Sequence, residues 1–300
     1  MAEGKLRGIM EYFLNQLING LCQGAIYALL AIGYSVIVGV VGMVTFTYGE
    51  VIMIGAYTSM YMFQYFGNNL LMGIVASFLT TWIMGIAIYH ICYERFSNAP
   101  RHIPLLCTIG FSILVKNLAQ IFFGPNQQPI LNVINNTIYT IGPVQVQKIQ
   151  LIILFVVIVL AVILSLVFNK TTWGISLRAV SQNKTAASMV GINVKRMSMI
   201  GNCIGCGLGG IGGTLLGLYY QMAIPTMGGS YGMKAFSASV LGGLTDIPFS
   251  AVGGMCLGII ENLGITFSSA SFRDIFAFGF LILVLLIRPE GFKSKKGERV

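Results

Sequence analysis

Ile149 to Phe168 is the most uniformly apolar run of the chain, and at twenty residues it is as long as a helix must be to cross a bilayer core. No other feature constrains the fold so tightly. It has company: apolar runs of similar character recur along the chain, as far as Phe276 to Ile287 with its apolar flank. None alternates in polarity over about ten residues as a membrane β-strand does, so the spans read as helices. Composition agrees, with 56% hydrophobic residues, 9% charged residues and a mean hydropathy of +0.82. The expected class is all-α, a polytopic transmembrane helix bundle forming a single domain over residues 1–300.

Eight runs read as clear spans: Met10 to Ile32, Val51 to Phe66, Leu70 to Ile91, Leu105 to Phe123, Ile149 to Phe168, Met197 to Tyr220, Ala251 to Phe267 and Phe272 to Ile287. Two shorter runs, Gly33 to Thr45 and Lys234 to Leu241, end in polar or glycine-rich breaks and read as interrupted segments. Broken backbone at membrane depth is tolerated only inside protein or along a cavity, which makes these two runs the pointer to a path. The first span carries Asn15, Gln16, Asn19 and Gln23 on neighbouring turns, and a stripe of amides belongs against protein or water rather than lipid. Met197 to Tyr220 holds eight glycines and is expected at the centre of the bundle, because small residues let helices approach closely. Lys5 and Arg7 precede an apolar stretch too long for a cleaved leader, so the N-terminus reads as an uncleaved span.

The formal charge of +9 raises the question of nucleic acid, yet the basic residues are dispersed among loops. Their distribution reports orientation instead. Fourteen of the 18 Lys and Arg fall near the N-terminus, in Tyr93 to Ile103, in Lys170 to Arg196 and in the tail from Arg288. The positive-inside rule places these regions, and hence both termini, in the cytoplasm, with the Asn-rich segment Gly124 to Gln147 outside.

Glu50, Lys116, Glu261, Arg273 and Asp274 lie in or against apolar runs, where an unpaired charge is costly. Arg273 and Asp274 begin a span and can reach the headgroup level, and Lys116 can extend likewise. Glu50 and Glu261 have no cation beside them in the sequence and, with Asn19 and Gln23, are the candidate lining of a translocation path. A structural hydrogen-bonding role is the other reading for each. Two histidines, dispersed cysteines and the absence of a G-x-x-x-x-G-K-[ST] loop leave no metal site, cofactor site or enzyme centre to propose, so ATP hydrolysis, if it drives the protein, belongs to another chain.

Between two long apolar runs lies the polar island RAVSQNKTAASMVGINVKR, Arg178 to Arg196. It reads as a short capped helix, with Asn183 as N-cap, Ala186, Met189 and Val190 on one face, and Gly191 as the stop. So short a helix needs a partner for its apolar face.

Thr185, Ala186, Ala187 and Gly191 match the T/E-A-A-x-x-x-G spacing of the cytoplasmic coupling loop of ABC importer permeases, within a loop spanning 170–196. INGLCQGAIYALLAIGYSVIVGVVGMVTFTYGEVIMIGAY, IPLLCTIGFSILVKNLAQIFFGP, KAFSASVLGGLTDIPFSAVGGMCLGIIENL and RPEGF extend the likeness over nearly the whole length. The chain resembles the LivH-type permease subunit of branched-chain amino-acid ABC importers. Tyr48 stands where that family usually has His, and Thr185 where it usually has Glu. The resemblance implies a bacterial or archaeal inner-membrane permease with Thr185 to Gly191 as the ATPase-coupling helix. It implies a second similar permease subunit, two cytoplasmic ATP-binding subunits and an external solute-binding protein. An ABC permease for urea, short amides or another small polar solute, and an ion-coupled secondary transporter or channel, are the alternatives.

Overall fold

The structure is a computed structural model and describes residues 2–67, 69–96, 99–100, 102–130, 133, 137–141, 144–267 and 272–288. The basic tail beyond Arg288 lies outside the described residues, as does Arg101. Helices make up nearly all of the fold: α1 (Ala2–Val41), α2 (Tyr48–Phe66), α3 (Leu70–Ile88), α4 (His102–Phe123), α5 (Lys148–Lys170), α6 (Thr172–Gln182), α7 (Lys184–Met189), α8 (Val194–Tyr220), α9 (Met227–Gly242), α10 (Ile247–Phe267) and α11 (Arg273–Ile287). A π turn over Tyr89–Glu94 continues α3. The segment read as external is pinned by two small antiparallel pairs, β2 (Ile138–Ile141) with β3 (Val144–Gln147), and β1 (Gln128–Pro129) with β4 (Met222–Ala223).

Among the described residues six helices are long and apolar enough to cross a membrane, namely α1, α3 with its π turn, α4, α5, α8 and α10. The protein is a multi-pass membrane protein. Val51 to Phe66 and Phe272 to Ile287, read as clear spans, are helices of 19 and 15 residues, and the eight-span count is not reached by that measure. The short run Gly33 to Thr45 is not a separate segment either. Gly33 sits inside α1, a 40-residue helix about 60 Å long at 1.5 Å per residue, because its bare backbone lies against α8: an added Cβ would come 2.9 Å from the Gly205 carbonyl oxygen. The stop comes at Gly42, whose φ of +76° is left-handed. The second short run is longer than it reads, since α9 takes in Gly228 and Gly229 and ends at Gly242, with Gly243 left-handed behind it.

α8 is the axis, as its glycines suggest, and it packs on α1, α2 and α3. A Cβ on Gly55 of α2 would lie 2.5 Å from Gly210 Cα of α8, and one on Gly205 would lie 2.6 Å from the Gly33 carbonyl of α1. On the other flank of α1, Gly20 and Gly24 face Ile259 and Met255 of α10, and Gly254 and Gly258 of α10 face Ala28 and Gly24, so one G-x-x-x-G pair on each helix brings these backbones together. Ser35 of α1 bonds to Ser239 of α9 at 2.8 Å and to Ser250 of α10 at 2.6 Å, joining three helices with hydroxyls alone.

Contacts along α1 also settle which way it runs. Near its start, Asn15 Oδ1 accepts from the Gln145 amide of β3 at 2.9 Å, whereas at its end the Val41 carbonyl accepts from Lys184 Nζ of α7. α1 therefore begins at the end of the bundle that carries the Asn-rich segment and finishes at the end that carries the basic island. α11 runs the same way, since Arg273 at its start bonds to Tyr220 at the far end of α8 from the island. The expectation that both termini are cytoplasmic is not confirmed: among the described residues the first helix starts and the last helix finishes at opposite ends of the bundle. Splitting α1 at Gly33 added a crossing that the chain does not make.

Candidate functional site

Glu50 lies in the first turn of α2, where an acidic side chain complements the positive end of the helix dipole. It is 4% exposed and points into protein. The irregular backbone from Gly42 to Thr47 delivers it there, held by Tyr34 Oη donating to the Thr45 carbonyl at 3.0 Å and by a Thr45–Thr47 hydroxyl bond of 2.8 Å. Ser112 Oγ of α4 donates to Glu50 Oε1 at 3.2 Å, and Lys116, one turn further along α4, is the cation whose charge reaches it. Oε2 has no hydrogen-bond partner among the described residues.

This carboxylate borders a cleft of about 290 Å³ between α1, α2, α4 and α9. Tyr34, Phe46, Tyr48, Ile109, Ile113, Met233 and Phe236 supply an aromatic and aliphatic wall, and Gly228, Gly229 and Gly232 expose the backbone of α9. The irregular stretch after α1 and the start of α9 therefore meet at one place. Gly49 and Gly228 touch backbone to backbone, which fixes the start of α9 beside the start of α2. Neither Thr47 nor Thr226 gives its helix a side-chain cap.

Glu261 sits elsewhere and is not alone. Although no cation neighbours it in sequence, the fold brings four groups to Oε1: Gln23 Nε2 of α1 at 3.0 Å, Tyr27 Oη at 3.3 Å, Lys234 Nζ of α9 at 2.9 Å and Arg273 Nε of α11 at 3.1 Å. Lys234 also pairs with Asp274 Oδ1 at 2.9 Å. The reading of Arg273 and Asp274 as residues reaching for headgroups is corrected accordingly, for both are drawn into this ion cluster. Two cations meet two carboxylates, and Asn262 completes the set by donating to Gln23 Oε1 at 2.7 Å. Asn19 is a third location, accepting from Gln150 Nε2 of α5 at 2.6 Å. The amide stripe packs on protein: Asn15, Asn19 and Gln23 each bond to a different neighbouring element.

At the island, Asn183 Oδ1 accepts from the Ala186 amide at 3.0 Å and Gly191 adopts φ +84°, so the cap and the stop are where the sequence puts them. The Ile192 amide reaches back to the Ala187 carbonyl at 3.1 Å, the reach of a Schellman stop. Ala187 is buried against the protein's own surface, while Ala186, Met189 and Val190 face outward, the last two 80% and 76% exposed.

Residues 16–285 match the family described as "Branched-chain amino acid transport system / permease component". The chain belongs to this family. It is 33% identical over 296 residues to the high-affinity branched-chain amino acid transport system permease protein LivH of Escherichia coli (strain K12), covering 93% of this chain and 95% of that one. The permease protein BraD of Pseudomonas aeruginosa is equally similar, 33% over 292 residues with the same coverage. A probable LivH of Methanocaldococcus jannaschii is 26% identical over 280 residues, 88% of this chain and 87% of its own. No solved structure matches.

In this family member Tyr48, the departure from His, is buried; its hydroxyl donates to the Leu30 carbonyl at 3.0 Å and its ring meets Tyr34 edge-on at 5.4 Å. It is thus part of the cleft wall. Thr185, the departure from Glu, is exposed on α7. Sequence reasoning missed Lys234 as a site residue, for it lies in a short run where nothing marks its partner, and it missed the glycine face of α9, which precedes the run Lys234 to Leu241.

Proposed function

We propose that this chain is a permease subunit of an ATP-driven importer in a bacterial or archaeal inner membrane, moving branched-chain or related amino acids handed over by an external solute-binding protein. It works with a second, similar permease subunit and with two cytoplasmic ATP-binding subunits. One observation carries the coupling: α7 is a capped helix of six residues that turns an apolar face, Ala186, Met189 and Val190, away from its own bundle at the basic end. A helix of that length does not hold in water unaided, so the face fits a groove on an ATPase subunit. Thr185 to Gly191 form the coupling element. Lys184 ties it to the Val41 carbonyl, at the C-terminal end of α1 where a cation is favoured, just before the segment that carries Glu50.

The path runs through the Glu50 cleft, and Asn19, Gln23 and Glu261 hold α1 against the helices around it. Family membership supports this reading, and so does the meeting of the irregular Gly42 to Thr47 stretch with the start of α9 at the cleft. The test is reconstitution with the ATPase subunits and the binding protein. Ala186→Glu puts an unpaired charge in the groove and Gly191→Val strains the stop, so uptake and ATPase co-purification should fall together while the permease still inserts. Full transport and full ATPase binding by both variants would overturn the coupling role.

A further inference from the structure

The cleft beside Glu50 has a chemistry more specific than that of a passage. Its volume, about 290 Å³, is at the small end of ligand pockets, which run from roughly 300 to 1,000 Å³. Its anion has one oxygen occupied, by Ser112, and one buried oxygen without a partner among the described residues, beside Gly228. α9 begins at the same spot. With Thr226 giving no side-chain cap, the first-turn amides of Gly228 and Gly229 have no acceptor within the helix, and the positive end of a 16-residue helix favours an anion there. Gly229 has open space where a side chain would go, since an added Cβ meets nothing within 4 Å. A cation-accepting oxygen and an anion-accepting backbone thus adjoin, with an aliphatic and aromatic wall beside them.

We propose that this cleft is the permease's own solute site and takes a zwitterionic aliphatic α-amino acid. The ammonium sits on Glu50 Oε2, the carboxylate on the amides of Gly228 and Gly229, and the side chain against Phe46, Ile109, Ile113 and Met233. An α-amino acid carries its opposite charges on adjacent carbons, which is the spacing that neighbouring acceptors and donors demand. A neutral solute such as urea satisfies Glu50 but gives the start of α9 no anion. The inference rests on the importer reading above and deepens it, because selection then occurs in the permease as well as in the binding protein.

The experiment uses the complete importer in proteoliposomes, with its ATPases and binding protein, and measures uptake of labelled leucine, isoleucine and valine. Glu50→Gln removes the charge that holds the ammonium, and Gly229→Val fills the carboxylate position from a site with room for it. Each should lower leucine uptake by about tenfold or more, as loss of a charge-assisted contact does, with assembly and ATPase co-purification unchanged and with Glu50→Asp retaining part of the rate. Met233→Trp, which narrows the wall, should shift preference from leucine toward valine. If Glu50 serves only to complement the dipole of α2, Gly229→Val and Met233→Trp transport as the wild type does, and the proposal is overturned. Should Glu50→Gln fail to assemble, Gly229→Val and Met233→Trp decide the matter by the same criterion. If the wild-type importer moves none of the three amino acids, the importer reading itself fails; if it moves them and the variants are unaffected, this inference alone fails.

Discussion

Lys234 is 3% exposed and Glu261 fully buried, and each is the other's main reason for being charged in so apolar a place. Removing one partner of a buried pair leaves an uncompensated charge, which costs about 3–5 kcal/mol. Lys234→Met should therefore lower the unfolding temperature of the purified permease sharply. Lys234→Met combined with Glu261→Gln should recover much of the loss, since Gln keeps hydrogen bonding to Gln23 and Tyr27 without the charge. Equal stability of wild type and Lys234→Met, followed by thermal unfolding in detergent, would show that Arg273 alone neutralises Glu261. Glu50 contrasts with this pair in its surroundings: among the described residues no cation donates to it, and a cleft lies beside it, although each of the two carboxylates keeps one buried oxygen without a partner there.

At the scale of elements, α1 and α10 depend on absent side chains. Gly24 and Gly258 face one another so closely that a side chain at either drives the helices apart. Gly258→Leu should cost stability by overpacking, on the order of 1–3 kcal/mol, and should also disturb the Ser35, Ser239 and Ser250 bonds that close the same flank. Reduced yield of folded protein on gel filtration, with Gly279→Leu as the tolerated control because a Cβ there meets nothing, checks this. α7 makes the complementary case, an element whose outward face has no use within the chain. Lys184→Met should leave ATPase binding intact yet reduce uptake per ATP hydrolysed, because the link from α7 to the end of α1 is weakened. Unchanged coupling in that variant would mean that motion of α7 reaches the cleft by another route.

For the whole molecule, the opposed ends of α1 and α11 make a testable claim about sidedness. The positive-inside bias is a sum, and Arg95, the five basic residues of Lys170 to Arg196 and Arg288 at the island end outweigh Lys5, Arg7, Lys148 and Arg273 at the other. In a cysteine-free background, Tyr12→Cys should react with an impermeant maleimide in intact cells, whereas Val190→Cys should react only after permeabilisation. Both positions are exposed, 49% for Tyr12 and 76% for Val190, so access is decided by side rather than by burial. Reaction of the two under the same condition would place α1 the other way.

What the amino-acid sequence determined alone was whatever depends on local chemistry. Apolar length dictated membrane helices, the Asn183 and Gly191 pair dictated α7 residue by residue, and the glycine content of Met197 to Tyr220 dictated the central helix, since each signal is complete within a few turns. The tertiary structure decided what depends on distant partners. Gly33 reads as a break and is a helix contact, because its meaning lies in Gly205 and Tyr48 of other helices. Glu261 reads as solitary and is paired through residues 27 and 12 positions away, while Glu50 reads the same and has no ion pair among the described residues. Two buried carboxylates with one sequence signature thus divide into a structural anion and an open one, because charge compensation is a matter of distance in space and the sequence records only distance along the chain.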